Sequence, residues 1–167
     1  MTYSSKAIAN YFLELAKSSE ELLSPMKLQK LIYFAHGWHL AIYDEPLISE
    51  TVEAWRFGPV VPSIYHEFKN YGSGTISDLA TEFELIDDDD SLSLTSYIPK
   101  INQNDEKVIA LLNKIWEIYG NYSGISLSNL THKDDSPWAR VWSISTPKGT
   151  DIPANEIKKY FQELAAA

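Results

Sequence analysis

The sequence predicts an α+β fold that is predominantly α-helical and forms a single compact domain over residues 1–167. The stretch at 24–43 reads as one long helix that is too apolar to lie on a surface, so we expect it at the centre of the fold. Apolar residues recur at helical spacing at 104–120, and the best strand candidate is the short segment 51–57. These observations favour helices packed around a buried central helix, with one small β element.

The first two helices have clear starting signals. Ser4 or Ser5 can cap an amphipathic first helix. Ser24 and Pro25 mark the start of the central helix, because a Ser side chain accepts from free N–H groups and Pro lacks the N–H that would stay unpaired. Gly37 costs about 1 kcal/mol relative to Ala inside a helix, and we explain that cost by another backbone passing close to it.

The strand candidate 51–57 is expected to end at Gly58 and Pro59, which break strands. Pro62 then starts a short helix. The apolar residues predicted to form its buried face are Ile64, Tyr65 and Phe68.

Between 73 and 102 the pattern is weak. The acidic run Asp87–Asp90 interrupts a loose alternation of apolar residues, which fits an exposed hairpin or a flexible excursion. Four adjacent Asp residues lack the ligand spacing of a calcium-binding loop, so we predict no metal site here.

Further helices are expected in the second half of the chain. One begins at Asn104 or Asp105 and is the expected packing partner of the central helix. Ser126 is predicted to cap a short helical turn, and Ser136 before Pro137 predicts another helix start. The final helix is expected to dock on the core through four residues: Ile157, Tyr160, Phe161 and Leu164.

Composition narrows the classes of function. The formal net charge of −9 works against binding to a nucleic acid backbone, and an acidic surface instead speeds the encounter with a basic partner. The absence of cysteine excludes disulfides, thiolate metal sites and cysteine nucleophiles. No apolar run reaches transmembrane length and no signal-peptide pattern is present. We therefore expect a soluble, cytoplasmic protein that contacts neither membranes nor nucleic acid directly.

Catalytic and cofactor chemistry has little support in the sequence. His36 and His39 could both reach one metal, but no nearby motif supplies the other ligands of a zinc site. The chain has no phosphate loop, dinucleotide-binding turn or serine elbow. Glu53 is the carboxylate that we expect to be half-buried, and buried charges are normally paired. We predict no catalytic residue, no metal and no cofactor.

Arg56 lies between Trp55 and Phe57, and a guanidinium group beside aromatic rings is typical of interface anchors. The same arrangement could simply order the turn that follows. The sequence does not decide between these two interpretations.

Four blocks of the sequence resemble a known family. They are MKLQKLIYFAHGWHLA at 26–41, EAWRFGPVVPSIYHEFKNYG at 53–72, LSNLTHKDDSPW at 127–138 and IPANEIKKYF at 152–161. Together with the opening AIANYFLELA, they are similar to the Panacea domain family, which groups SocA-type antitoxins of bacteria with phage-associated GepA proteins.

The resemblance implies a mostly helical α+β domain that neutralises a toxin protein by direct contact, without catalysis. It also implies an alternative, an adaptor that delivers the bound toxin to a AAA+ protease. The segment 74–102 does not align with the family, so toxin choice could lie there. Two further alternatives stay open: a small enzyme that uses carboxylates or the histidine pair, and a DNA-binding autoregulator.

Seven residues are predicted to lie at or near a surface that binds a protein partner. Four are chosen for their residue type and for their position on or near an exposed strand: Trp55, Arg56, Phe57 and Tyr65. The resemblance adds three residues of the family motif: Lys30, His132 and Trp138.

Overall fold

The structure is a computed structural model that describes residues 2–167. These residues form seven α-helices and two antiparallel hairpins. The helices are α1 (Ser5–Ser18), α2 (Pro25–Tyr43), α3 (Pro62–Phe68), α4 (Glu106–Tyr119), α5 (Gly124–Thr131), α6 (Pro137–Val141) and α7 (Ala154–Ala166), with a 3-10 turn at Lys69–Tyr71. The strands are β1 (Glu53–Trp55), β2 (Gly58–Val60), β3 (Glu82–Asp88) and β4 (Ser91–Tyr97). The prediction of a helix-dominated α+β fold is confirmed.

Helix α2 is the central helix, and twelve of its residues are buried. Its start is the predicted one, since the Ser24 side chain accepts a hydrogen bond from the Lys27 N–H at 3.2 Å and Pro25 opens the first turn. The predicted partner α4 does pack against α2, but α7 and α5 cover more of it. An apolar helix face shows that a partner exists without specifying which helix provides it.

Gly37 lies where α7 crosses α2. A Cβ atom at this position would overlap the ring of Phe161, which is fully buried. The Phe161 ring packs edge-on against Tyr33, Phe34 and Trp38, with centroid distances of 5.7, 6.0 and 5.2 Å. The closest neighbour of Gly37 is therefore the aromatic side chain of Phe161, on the helix that crosses α2 at this point.

Strands β1 and β2 form a tight hairpin around Arg56 and Phe57, pairing Trp55 with Gly58. Gly58 and Pro59 thus begin a second strand, which corrects the prediction that they only end the first. Gly58 has a φ of +119°, and a side chain there would meet Thr131 and Lys30. Pro59 is tolerated because β2 is an edge strand.

Strands β3 and β4 form the second hairpin, so the segment 73–102 contains the exposed hairpin that was one of the two alternatives. Every residue from 83 to 98 is exposed. The acidic run Asp87–Asp90 forms the end of this hairpin.

Smaller details differ from the sequence-based expectations. Helix α5 is capped by Ser123, whose side-chain oxygen accepts from the Ser126 N–H at 3.0 Å, so Ser126 is not the cap. Tyr65 is exposed because Ile64 and Phe68, four residues apart, already fill the core-facing side of α3.

None of the helices in residues 2–167 combines the length and the apolar content needed to cross a membrane.

His36 and His39 are both buried in α2. His39 Nδ1 lies 2.6 Å from the carbonyl oxygen of Glu45, whereas His36 Nδ1 has no hydrogen-bond partner among residues 2–167. Burial lowers the pKa of His39 and lowers the pKa of His36 to about 4. No cluster of three or more metal-ligating side chains is found in the described part of the chain.

The substitution Gly37→Ala tests the close packing of α2 against α7. Helix propensity alone would stabilise this variant by about 1 kcal/mol. Overlap with the Phe161 ring is expected to outweigh that gain and to lower the free energy of unfolding by about 1–2 kcal/mol, measured by urea denaturation. In a Phe161→Leu background the same substitution should be less harmful. A stabilised Gly37→Ala protein would contradict this packing.

His36 is expected to make the protein less stable at acid pH. Its folded-state pKa of about 4 lies below the ordinary value of 6.5, so the unfolded chain binds the proton more readily. Stability is therefore lost as the pH falls from 6.5 towards 4, by at most about 3 kcal/mol for this group.

Urea unfolding between pH 7 and pH 4 measures this loss. We expect His36→Leu to lose less stability than the wild type, and His66→Gln, at an exposed histidine, to follow the wild type. Identical acid profiles for His36→Leu and the wild type would assign the effect to another group.

Candidate protein-binding surface

The backbone of residues 55–61 is held by side chains from the helices beneath it. Four alternate carbonyl oxygens each accept one such hydrogen bond. The pairs are Trp138 Nε1 to Trp55 O (2.6 Å), Ser128 Oγ to Phe57 O (2.8 Å), Lys30 Nζ to Pro59 O (3.1 Å) and Gln29 Nε2 to Val61 O (3.0 Å). We call these four hydrogen bonds the carbonyl ladder.

The carbonyl ladder follows from the position of this segment against a helical core. The hydrogen bonds from Lys30 and Gln29 are buried and the other two are partly buried, so these carbonyl oxygens have little access to water and are paired with donors from the protein. Gln29 completes the arrangement because its Oε1 also accepts from the Val61 N–H at 3.0 Å. The turn at Arg56 and Phe57 consequently has a fixed backbone, from which the side chains project outward.

Lys30 is an unusual donor because its side chain is enclosed, with only 2% of the residue exposed. No carboxylate pairs with it in residues 2–167. Burial lowers the pKa of its ammonium group to about 7. Near neutral pH this side chain is therefore only partly charged.

His132 and Trp138 also lie beneath the hairpin, where their rings stack with centroids 4.0 Å apart. Burial lowers the pKa of His132, and the charge on Lys30 adds to that effect, while the Phe57 carbonyl opposes it. Trp138 is buried and His132 is half-buried. Three of the seven predicted residues, Lys30, His132 and Trp138, thus contact the hairpin from the inside.

The other four predicted residues form one outer surface, which we call the ridge: Trp55, Arg56, Phe57 and Tyr65. Phe57 is 60% exposed and Tyr65 is 42% exposed. The rings of Trp55 and Tyr65 pack edge-on at 4.8 Å between centroids, and the Arg56 guanidinium lies 5.6 Å from the Phe57 ring centroid. Glu53 is half-buried, as expected, and its Oε1 accepts from Trp55 Nε1 at 3.0 Å.

Two grooves, each with a volume of about 450 Å³, border the ridge. One is lined by Met26 and Ile64 together with the ridge, and the other by Trp142 and Ile144. Trp55, Arg56 and Lys148 line both grooves, and Lys148 Nζ lies 5.0 Å from the Trp55 ring centroid.

The ridge presents aromatic rings and free positive charge. Among residues 2–167, neither Arg56 nor Lys148 forms an ion pair with a carboxylate. The carbonyl ladder already orders the turn, so Arg56 is not needed for that purpose. Exposed aromatic and arginine side chains on a rigid backbone suit recognition of another protein, since these residue types dominate binding energy at interfaces.

Gln29, Ser128 and Lys148 also belong to this surface but are not among the seven residues predicted from the sequence. Gln29 and Lys30 do carry a signal, because they are adjacent polar residues in a helix that is otherwise largely apolar. Ser128 and Lys148 have no such signal, since their neighbours at the hairpin are distant in sequence.

Comparison with known proteins identifies the family. The family model described as "Antitoxin SocA-like, Panacea domain" matches residues 28–139, which contain the carbonyl ladder and the ridge. Antitoxin SocA from Caulobacter vibrioides (strain NA1000 / CB15N) is 30% identical over 133 residues, covering 80% of this chain and 67% of that protein. No solved structure matches the chain. The resemblance inferred from the four sequence blocks is confirmed, and the chain belongs to the SocA-like Panacea domain family of antitoxins.

Proposed function

We propose that this protein is a cytoplasmic antitoxin that neutralises a toxin by binding it directly through the ridge. The observation that carries the proposal is the combination of exposed aromatic rings and unpaired Arg56 on a backbone fixed by the carbonyl ladder. Membership in an antitoxin family and the name of the Caulobacter relative support a toxin as the partner. Binding that occupies the active surface of a toxin is sufficient to inactivate it, so the proposal needs no catalytic residue.

A fixed backbone favours tight binding for a thermodynamic reason. Ordering a loop when a complex forms reduces the affinity, and the carbonyl ladder orders this turn before the toxin arrives. The two grooves beside the ridge provide concave surface into which side chains of the toxin can pack. We expect the ridge to form the centre of an interface of standard size, about 1,600 Å² in total.

The seven predicted residues then divide into two roles. Trp55, Arg56, Phe57 and Tyr65 contact the toxin, whereas Lys30, His132 and Trp138 hold the hairpin in position.

We also propose that residues 1–167 act as one domain. Helices α1 and α7 lie outside the segment matched by the family model, and both pack against α2.

A growth experiment tests the proposal with the protein encoded by the neighbouring gene. That protein alone should arrest growth, and co-expression of the antitoxin should restore growth and allow the two to copurify. The amount of toxin should stay constant during rescue; a toxin that disappears would instead favour delivery to a AAA+ protease. A neighbour that neither arrests growth nor binds would count against the proposal.

The substitutions Arg56→Ala and Phe57→Ala test the ridge. Each is expected to weaken toxin binding by roughly tenfold or more, as is typical for anchor residues, while the melting temperature stays unchanged because both side chains are exposed. Isothermal titration calorimetry and thermal unfolding measure the two quantities. Arg140→Ala removes the other arginine, which pairs with Glu156 at 3.4 Å, and should bind toxin normally. Wild-type affinity in both ridge variants would rule out the ridge as the contact surface.

The substitution Lys30→Met tests the buried amine. The folded-state pKa of about 7 lies below the ordinary 10.5, so the unfolded chain holds more protons between these values. Wild-type stability should therefore rise through this range, by at most about 1.4 kcal/mol per pH unit from this group. Lys30→Met should lack that rise, and the exposed control Lys69→Met should keep it. Parallel profiles for Lys30→Met and the wild type, measured by urea unfolding, would contradict the pKa assignment.

A further inference from the structure

The β3–β4 hairpin has one apolar and one polar face. Residues that pair directly across the two strands lie on the same face, and successive residues alternate between faces. Four large apolar residues fall on one face, together with Asp87 and Ser96, and are 58–69% exposed. We call this the apolar hairpin face, and its four apolar residues are Phe83, Leu85, Leu92 and Leu94. The opposite face is more polar: it carries three carboxylates and three small polar residues beside two large residues, Ile86 and Tyr97.

The hairpin is also strongly acidic. Residues 82–97 contain six carboxylates and no Lys or Arg, the six being Glu82, Glu84, Asp87, Asp88, Asp89 and Asp90. Because the whole chain has a formal net charge of −9, a second copy of the same hairpin would be repelled. The charge instead complements a surface that is rich in lysine and arginine.

The base of the hairpin is rigidly held, although the hairpin itself is exposed. Buried Asn10 donates to the carbonyls of Ala80 and Pro99, both at 3.0 Å, and accepts from the Ala80 N–H at 2.7 Å. Lys6 donates to the Thr81 carbonyl at 2.9 Å, and Glu67 accepts from the Thr81 N–H at 3.1 Å. The core therefore fixes where the hairpin emerges, while no residue from 83 to 98 is covered.

A two-stranded hairpin exposed on both faces is only marginally stable in water, and it becomes stable when its apolar face packs against another element. Here the register and the base are fixed while the apolar hairpin face stays open. This combination indicates an arm that completes its packing on a partner.

We propose that the apolar hairpin face is a second docking surface for the toxin, and that it binds an apolar patch of the toxin bordered by Lys and Arg side chains. The inference rests on the proposed antitoxin function. The apolar residues of the hairpin pack on the patch, and the carboxylates at its end pair with the bordering cations. The ridge carries unpaired positive charge, so the two surfaces select different features of one toxin.

Binding is tested with the toxin identified by the growth experiment. Leu85→Ser places a polar group on the apolar hairpin face, and Ile86→Ser makes a matched change one residue away on the opposite face. We expect Leu85→Ser to weaken toxin binding roughly tenfold and Ile86→Ser to change it less than about twofold. Hydrogen exchange of residues 82–97 should slow on toxin binding, and both variants should keep the wild-type melting temperature because the positions are exposed.

The rate of association with the toxin tests the predicted charge complementarity. Replacing Asp87, Asp88, Asp89 and Asp90 together with Asn should slow association with the toxin at low salt and flatten the dependence of the association rate on ionic strength. An association rate that is unchanged at every salt concentration would overturn the basic character assigned to the toxin patch.

The outcomes separate this inference from the function on which it rests. If the wild type binds the toxin, and Leu85→Ser binds equally well or Ile86→Ser is weakened as much, the hairpin assignment is overturned while the antitoxin function stands. A dimer of the free protein that Leu85→Ser dissociates would show that a second copy covers the face, which also overturns the assignment. If the wild type does not bind the toxin at all, the proposed function fails and the hairpin inference fails with it.

Discussion

A chain that turns sharply against a helical core leaves carbonyl oxygens facing away from water. In this protein four of them, in residues 55–61, are satisfied by side chains from three different helices. An unsatisfied buried carbonyl costs about 1–3 kcal/mol, so these donors stabilise the segment in its position against the core. The need for hydrogen-bond donors explains why the central helix, which is otherwise largely apolar, carries Gln29 and Lys30 near its start. It also gives a role to a lysine in a place where burial lowers its pKa to about 7.

The residues that hold this surface in position differ from the residues that are exposed on it. Backbone position is set from inside, whereas the side chains of Arg56 and Phe57 point outward and contribute little to the core. Such a surface can change its side chains without changing its shape. A substitution at such an exposed position usually alters stability by less than about 0.5 kcal/mol, so the side chains of this surface can change while the fold is kept.

The sequence predicts correctly those structural elements that depend only on residues adjacent in the chain. Ser24 and Pro25 gave the start of α2, because a cap and a first-turn proline depend only on adjacent residues. The hairpin at β1 and β2 was only half recognised, since Gly58 and Pro59 look like strand breakers until the edge position of β2 and the close approach of Thr131 are known. The structure places Trp55, Arg56, Phe57 and Tyr65 on one surface, whereas most of the side chains that support this surface could not be identified from the sequence. Ser128 binds a carbonyl 71 residues away, and contacts of that separation leave no periodic pattern in the sequence.

Helix α3 connects the two exposed surfaces of the molecule. Tyr65 packs on Trp55 at the ridge, and Glu67, two residues later, accepts a hydrogen bond from Thr81 at the base of the β3–β4 hairpin. Glu67 also pairs with Lys6 of α1 at 3.0 Å, so both surfaces are fixed to the same core. Opposite charge distinguishes them, because the ridge carries Arg56 and Lys148 while the hairpin holds six of the carboxylates. Long-range attraction acts mainly on the rate of encounter, and desolvated aromatic contacts act mainly on the lifetime of a complex. In the complex that we propose, the acidic hairpin therefore speeds the encounter with a basic patch of the toxin, and the rigid ridge prolongs the lifetime of the complex.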